Sequence, residues 1–167
     1  MSRIKQFIRC LTAKINEDDY KFISQYLNEK EIELLYRLPI YDIKHCINVA
    51  MDIKNNENKL ELDEIKLNYY ELIKSGLLHD LGKSIRPLNP IEKAILVILS
   101  KFTNGKIKQY QNKSKRIYIY FNHGEEGYNL LNNSEYSREF LDVIRYHHDY
   151  SKSSNWLNIL RKYDNIN

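Results

Sequence analysis

The stretch from Ser75 to Lys83, with the sequence SGLLHDLGK, constrains the fold more than any other segment of the chain. It sets an imidazole and a carboxylate side by side, His79 and Asp80, directly after an apolar run. Adjacent side chains on a helix diverge by about 100°, so these two cannot stack along one face, but they can reach a metal ion from either side of the helix. Gly82 then permits a tight turn or a close backbone approach. The segment predicts a helix that delivers a metal-binding pair at its end.

The other candidate ligands are dispersed along the chain, and none forms a cluster at a terminus. In chain order the set is His45, His79, Asp80, His123, His147, His148 and Asp164. Successive members outside the two adjacent pairs are separated by tens of residues. Such spacing suits ligands carried on successive helices of a bundle, where metal sites are built from facing helices.

This ordered set resembles that of the HD superfamily of metal-dependent phosphohydrolases. The segment His79-Asp80-Leu81-Gly82-Lys83 is similar to the H-D-x-G-K signature of that family, often called HDIG. The resemblance covers about residues 36–167. It implies an all-α fold, a helical bundle of the HD type with a metal site at its centre.

The resemblance also implies how the ligands are shared between two divalent ions. His45, His79, Asp80 and Asp164 hold one ion, and Asp80 bridges to a second ion that His123 and His147 hold. His148 is a further candidate metal ligand, although it can instead donate to substrate or simply pack. Imidazole and carboxylate ligands suit Fe or Mn, with Zn, Ni, Co or Mg as alternatives.

Two such ions lower the pKa of a shared water and polarise the phosphoryl oxygens, so the expected nucleophile is a metal-activated hydroxide. We expect Asp80 and Lys83 to be the catalytic residues. Lys83 neutralises charge on the phosphate, or else is a solvated cation at a helix end. Lys83 and Arg86 are the predicted substrate-binding residues, and the predicted partner is a small phosphorylated molecule, a nucleotide above all. Nothing in the sequence indicates a nucleic-acid partner.

Three functions are compatible with these residues. The first is hydrolysis of a phosphate ester of a nucleotide or related molecule. The second is cleavage of a cyclic or linear dinucleotide, because the His147-His148 pair resembles the HD-GYP branch and the spacing of His123, Gly124 and Gly127 resembles the HD enzymes that split diadenosine tetraphosphate. The chain lacks the G-Y-P motif of the former branch. The third is a regulatory HD module that holds metal without turnover.

Composition bounds the remaining possibilities. At 167 residues the chain is predicted to be one domain, 1–167, in which residues 1–38 form helices that pack on the bundle. Five glycines and three prolines disfavour an all-β sandwich, and a net charge of +4 is too modest to indicate nucleic-acid binding. The two cysteines, Cys10 and Cys46, fit no C-x-x-C pattern. No signal peptide or membrane span is predicted, so we expect a cytoplasmic protein.

Helical periodicity accounts for nearly all of the chain. The predicted helices cover 2–13, 18–27, 29–37, 41–54, 63–79, 91–102, 125–131, 137–148 and 156–166. The fold of residues 103–121 stays open, because 117–121 alternates like a strand but also suits a helix or an extended loop. Between Lys101 and Ile117 the chain carries six basic residues and no acid. This run predicts a solvated loop or a basic rim that attracts a phosphorylated substrate or an anionic surface.

Overall fold

The computed structural model describes residues 12–56, 69–132 and 136–167, and these residues form an all-α fold. Within them lie eight α-helices, two 3-10 helices and no strand. The α-helices are α1 (Glu17–Tyr26), α2 (Glu29–Leu35), α3 (Ile40–Asn55), α4 (Tyr69–Leu78), α5 (Pro90–Phe102), α6 (Lys115–Leu131), α7 (Arg138–Tyr146) and α8 (Asn155–Ile166). The 3-10 helices are Leu81–Ile85 and Lys106–Tyr110. The predicted fold class is confirmed.

Short polar side chains fix where the helices begin. In α1, α2 and α5 an asparagine N-cap and an acidic residue three positions later satisfy each other's backbone amides; the pairs are Asn16 with Asp19, Asn28 with Glu31, and Asn89 with Glu92. Serine N-caps begin α6, α7 and α8, at Ser114, Ser137 and Ser154. These caps satisfy backbone donors that a helix leaves unpaired at its first turn.

The main core lies where α3, α4, α7 and α8 face one another. Ile47, Leu77, Ile144 and Leu160 are wholly buried there, each from a different one of these helices. Helices α1 and α2, with the residue that follows α1, close one side of the same core with apolar side chains, namely Phe22, Ile23, Leu27 and Leu35. These contacts attach α1 and α2 to the bundle.

A second, smaller core attaches α5 to the rest of the structure. It consists of Leu88, Leu96, Ile107 and Ile119, which bring together α5, the 3-10 helix Lys106–Tyr110 and α6. Leu96 is the one residue of α5 that is fully buried. No helix in the described ranges is long and apolar enough to cross a bilayer.

The structure corrects two details of the expected fold. Residues 117–121 belong to α6, which begins at Lys115, so His123 lies in the middle of that helix and not at its start at 125. Helix α4 ends at Leu78, so His79 and Asp80 lie in the turn that follows it, whereas the sequence placed His79 within the helix. The helix expected over 2–13, and the start of the one expected from 63, lie mostly outside the described residues.

Candidate metal centre

The His79-Asp80 pair occupies the turn between α4 and the following 3-10 helix. The amide of His79 donates to the carbonyl of Ser75 at 2.8 Å, and the amide of Lys83 donates to the carbonyl of Asp80 at 2.9 Å. Both side chains are buried, with 0% exposure for His79 and 1% for Asp80. A buried imidazole next to a buried carboxylate requires compensating partners, and four other helices supply candidates.

One oxygen of Asp80 faces a first group of ligand-type side chains. Asp80 Oδ2 lies 3.8 Å from Nε2 of His45 on α3 and 3.6 Å from Nε2 of His79. Asp164 on α8 completes the group, because its Oδ1 lies 3.0 Å from His45 Nε2 and 3.7 Å from His79 Nε2. Facing atoms of His45, His79 and Asp164 all lie within 4.8 Å of one another.

The other oxygen of Asp80 faces a second group. Asp80 Oδ1 lies 3.3 Å from Nε2 of His123 on α6 and 3.8 Å from Nε2 of His147 at the end of α7. These two ring nitrogens are themselves 3.2 Å apart. Asp80 therefore stands between two separate donor groups and presents one oxygen to each.

The backbone fixes which nitrogen each buried imidazole turns to the centre. Nδ1 of His79 lies 3.0 Å from the carbonyl of Gly76, Nδ1 of His123 lies 3.2 Å from that of Ile119, and Nδ1 of His147 lies 2.8 Å from that of Ile144. A carbonyl oxygen only accepts, so each Nδ1 carries the proton and each Nε2 presents a lone pair in the neutral ring. This outer contact is the one that metal-ligating histidines use.

Two of the inward-facing atoms of the site lack a hydrogen-bond partner. His79 Nε2 and Asp80 Oδ1 are buried and have no hydrogen-bond partner in the described part of the chain. The Nε2 lone pairs of His123 and His147 point at each other across 3.2 Å, an arrangement that is repulsive without a cation between them. The donor set therefore fits divalent metal ions of the kind that imidazole and carboxylate ligands select.

Glycines allow close approach between the backbone segments that carry the second group. A Cβ on Gly82 would lie 1.9 Å from the carbonyl oxygen of His123, and one on Gly124 would lie 2.5 Å from the carbonyl oxygen of Arg145. Only a residue without a side chain allows these approaches of the 3-10 helix to α6 and of α6 to α7. The close approach that Gly82 was expected to permit is thus made to the helix that carries His123.

An arginine from α8 holds the end of α7 in place. Arg161 is buried and donates to four backbone carbonyls, including those of His147 at 2.8 Å and Tyr146 at 2.7 Å. It thereby satisfies carbonyls that the helix leaves unpaired at its C-terminus. Arg161 is a positioning residue for His147, and no sequence pattern pointed to it, because its contacts depend on the tertiary fold.

Charge in the site is balanced by Lys83. Its ammonium forms an ion pair with Asp80 Oδ2. Burial alone would raise the pKa of the Asp80 carboxyl, but Lys83 and the neighbouring imidazoles hold that pKa well below its usual range. Burial would likewise lower the pKa of Lys83, whereas the charges of Asp80 and Asp42 raise it above its ordinary value. The ammonium and the carboxylate are therefore both charged near neutral pH.

The two donor groups differ in their affinity for protons. Burial opposes charge on His79, but Asp80 and Asp164 more than offset this effect and raise its pKa. Burial, together with the neighbouring rings of His148 and His123, lowers the pKa of His147 well below its usual value. The second group thus presents a neutral imidazole over a wide pH range, while protons compete for the first.

The site opens into a cleft of about 880 Å³. His45, Lys83, His123, His148 and Asp164 reach its floor, and its walls include Tyr41, Lys44, Lys93, Lys108, Tyr120 and Phe121. Cavities of this size suit small-molecule ligands.

The two remaining predicted site residues, His148 and Arg86, lie in different surroundings. His148 is exposed at the side of the second group, with its ring centre 4.9 Å from that of His123. Arg86 pairs with both carboxylate oxygens of Glu92, at 2.8 and 3.0 Å, and is not among the residues that line the cleft. Its predicted contact with substrate therefore has no geometric support.

Two buried residues near the site, Asp42 and Cys46, were not predicted to be site residues. Asp42 precedes His45 by three residues on α3 and holds Lys93 at 3.0 Å. The three-residue spacing places Asp42 and His45 on one helix face, and this spacing is the sequence signal that could have identified Asp42. Cys46 is wholly buried and within 4.8 Å of the facing atoms of His79 and Asp80. A lone cysteine in no recognisable motif gave no comparable signal.

The comparison with protein families agrees with this geometry. The family model described as HD domain matches residues 42–166. The chain belongs to the HD domain family, the superfamily of metal-dependent phosphohydrolases. No curated protein and no solved structure matches the chain.

Proposed function

We propose that this protein is a metal-dependent phosphohydrolase that cleaves a phosphate ester of a nucleotide or related molecule. The observation that carries the proposal is the position of Asp80, whose two oxygens face two separate groups of imidazoles. A single structural ion needs only one such group. Two groups that share a carboxylate are the donor arrangement of a two-metal site.

The proposed ligands follow from the two groups. His45, His79 and Asp164, with Asp80 Oδ2, would hold one divalent ion, and His123 and His147, with Asp80 Oδ1, would hold the other. Fe or Mn is the proposed metal because both accept mixed imidazole and carboxylate ligands. Two such ions activate water for attack at neutral pH and polarise the phosphoryl oxygens. His148 is close enough to the second group to be a further ligand.

Lys83 is proposed to stabilise negative charge on the phosphoryl group. Its ammonium lies at the floor of the cleft, beside Asp80, and its raised pKa keeps it charged. A protonated lysine cannot ligate a metal, so it can contribute only by its charge and its hydrogen bonds. Such a fixed donor acts most strongly when charge develops on the oxygens around phosphorus.

The cleft walls favour a nucleotide over a simple phosphate monoester. Lys108 lines the same cleft as the ligands, has no carboxylate partner among the described residues, and can contact a further phosphate group. Lys44 and Lys93 also line the cleft, but they pair with Asp19 and Asp42. Tyr41, Tyr120 and Phe121 provide aromatic surface on which a base can stack. A phosphate chain and a planar base are the two parts that such a cleft accommodates.

A substrate panel tests the proposal. The purified full chain is loaded with Mn²⁺ or Fe²⁺ and incubated with nucleoside mono-, di- and triphosphates, cyclic dinucleotides and dinucleoside polyphosphates, with release of product followed by chromatography. We expect turnover of a mononucleotide. Cleavage confined to cyclic or linear dinucleotides would support the phosphodiesterase alternative. Tight nucleotide binding without turnover by the metal-loaded protein would support a regulatory module and overturn the proposal.

A further inference from the structure

Helix α5 carries an apolar stripe that faces solvent. Ile91, Ile95, Ile98, Leu99 and Phe102 are 64%, 50%, 53%, 40% and 84% exposed, respectively. Their spacing places all five on one side of the helix, across about 100° of its circumference. A continuous stripe of large apolar side chains differs from the scattered exposed residues of an ordinary surface and indicates a docking site.

A basic segment follows the stripe in the chain, and its Lys106 lines a shallow hollow together with Phe102. After Phe102 the chain carries Lys106, Lys108, Lys113, Lys115 and Arg116, with no acidic residue among 101–117. Arg116 pairs with Glu92, but none of the four lysines has a carboxylate partner in the described part of the chain. The occupant of this face must therefore bring negative charge together with apolar contact.

Two occupants from the chain itself fail this requirement. A second copy that docked through the same stripe about a two-fold axis would bring the same lysines together and repel. Residues 1–11 are amphipathic in sequence, but their charged residues are Arg3, Lys5 and Arg9, with no acid. Neither neutralises the basic segment.

We propose that this face, the α5 stripe with its flanking lysines, docks on the surface of a membrane that contains anionic lipids. A helix with an apolar stripe and neighbouring cations binds in the plane of the bilayer interface, with its apolar face among the acyl chains and its cations at the headgroups. The stripe is convex, since Phe102 projects with 84% of its surface exposed, which suits insertion into lipid. Ile98 belongs both to the stripe and to the cleft wall. Docking therefore places the mouth of the cleft at the membrane surface.

Co-flotation with vesicles tests this proposal on the full chain. We expect the protein to float with vesicles of phosphatidylcholine mixed with phosphatidylglycerol, to stay behind with phosphatidylcholine alone, and to be released by high salt. The double variant Ile95→Ser/Phe102→Ser, which avoids residues that line the cleft, should lower partitioning by about tenfold or more. The control is Tyr150→Ser. Tyr150 is 71% exposed and lies in the connection between α7 and α8, so this substitution should leave partitioning unchanged.

The charge part of the proposal has its own pair of variants. Lys106→Ser/Lys113→Ser should reduce binding to the anionic vesicles by about tenfold, whereas Lys21→Ser/Lys30→Ser, on α1 and α2, should not. Circular dichroism confirms that each variant is folded. Absence of binding to either vesicle, equal binding to both, or a stable dimer that Ile95→Ser/Phe102→Ser dissolves would overturn the proposal. These readouts do not involve turnover, so they are independent of the proposed hydrolase activity.

Discussion

Replacing Lys83 with methionine separates the electrostatic role of this residue from metal binding. The substitution keeps the length of the side chain and removes its charge. In the metal-free protein it leaves Asp80, which is 1% exposed, without its ion-pair partner. Loss of one partner of a fully buried ion pair costs about 3–5 kcal/mol.

The expected cost here is lower, for two reasons. The Lys83 side chain is 18% exposed, so its pair with Asp80 is partly screened by water. His79, whose pKa is already raised, can also take up a proton and return a positive charge beside Asp80. We therefore expect metal-free Lys83→Met to lose about 2–3 kcal/mol of stability. For a chain of this size that corresponds to a Tm lower by about 4–12 °C.

Bound metal changes this result. Two divalent ions would replace the positive charge that the substitution removes from beside Asp80. The metal-loaded variant should therefore melt close to the metal-loaded wild type. Its metal content should be no lower than that of the wild type, since lysine is not a ligand. Its kcat/KM on the true substrate should fall by about ten- to a thousandfold, the scale of removing one fixed electrostatic donor.

Differential scanning fluorimetry with and without EDTA, metal analysis and steady-state kinetics together test these expectations. Lys44→Met is the matched control for stability, because Lys44 pairs with Asp19 at 2.7 Å and that carboxylate is also buried, but away from the metal ligands. It should lose stability equally with and without metal. A Lys83→Met protein that loses metal, loses equal stability in both states, or turns over at the wild-type rate would refute the reasoning.

The remaining predictions concern the two donor groups. Gly82→Ala should destabilise the protein by about 3 kcal/mol or more in urea titration, because its Cβ would lie 1.9 Å from the carbonyl of His123; wild-type stability would contradict the close approach. His45→Ala and His123→Ala should each lower metal content by one equivalent per chain in elemental analysis; if either variant loses both equivalents, or neither, the two groups do not bind independently. Metal affinity should fall as pH drops below the raised pKa of His79, because protons compete for Nε2; titration with Mn²⁺ across pH checks this, and a flat profile would show that His79 is not a ligand.

Local patterns predicted the helices and the order of the site residues. Helical periodicity was visible in the sequence, so the starts of α5 and α7 fell within one or two residues of their predicted positions. The start of α6 was missed because the polar segment before it resembles a loop. The Ser114 cap and the burial of Ile119 against α5 stabilise this start of the helix, although the local sequence pattern favours a helix only weakly.

Long-range pairing accounts for what the sequence could not supply. Lys93 pairs with Asp42, fifty-one residues earlier in the chain, and no local spacing predicts that choice. Which face of α5 remains exposed depends likewise on the small core that holds Leu96. The motif identified which residues gather at the centre, whereas the direction of each Nε2 follows from backbone carbonyls that only the folded chain brings into place.

The central claim is that Asp80 joins two ions, and electron paramagnetic resonance of the protein titrated with Mn²⁺ tests it most directly. Two ions that share a carboxylate lie about 3.5–4 Å apart and are magnetically coupled. We expect saturation at two equivalents per chain with a coupled spectrum, and the Asp80→Asn variant should lose that coupling. Saturation at one equivalent, or two equivalents that give the spectrum of isolated ions, would contradict it.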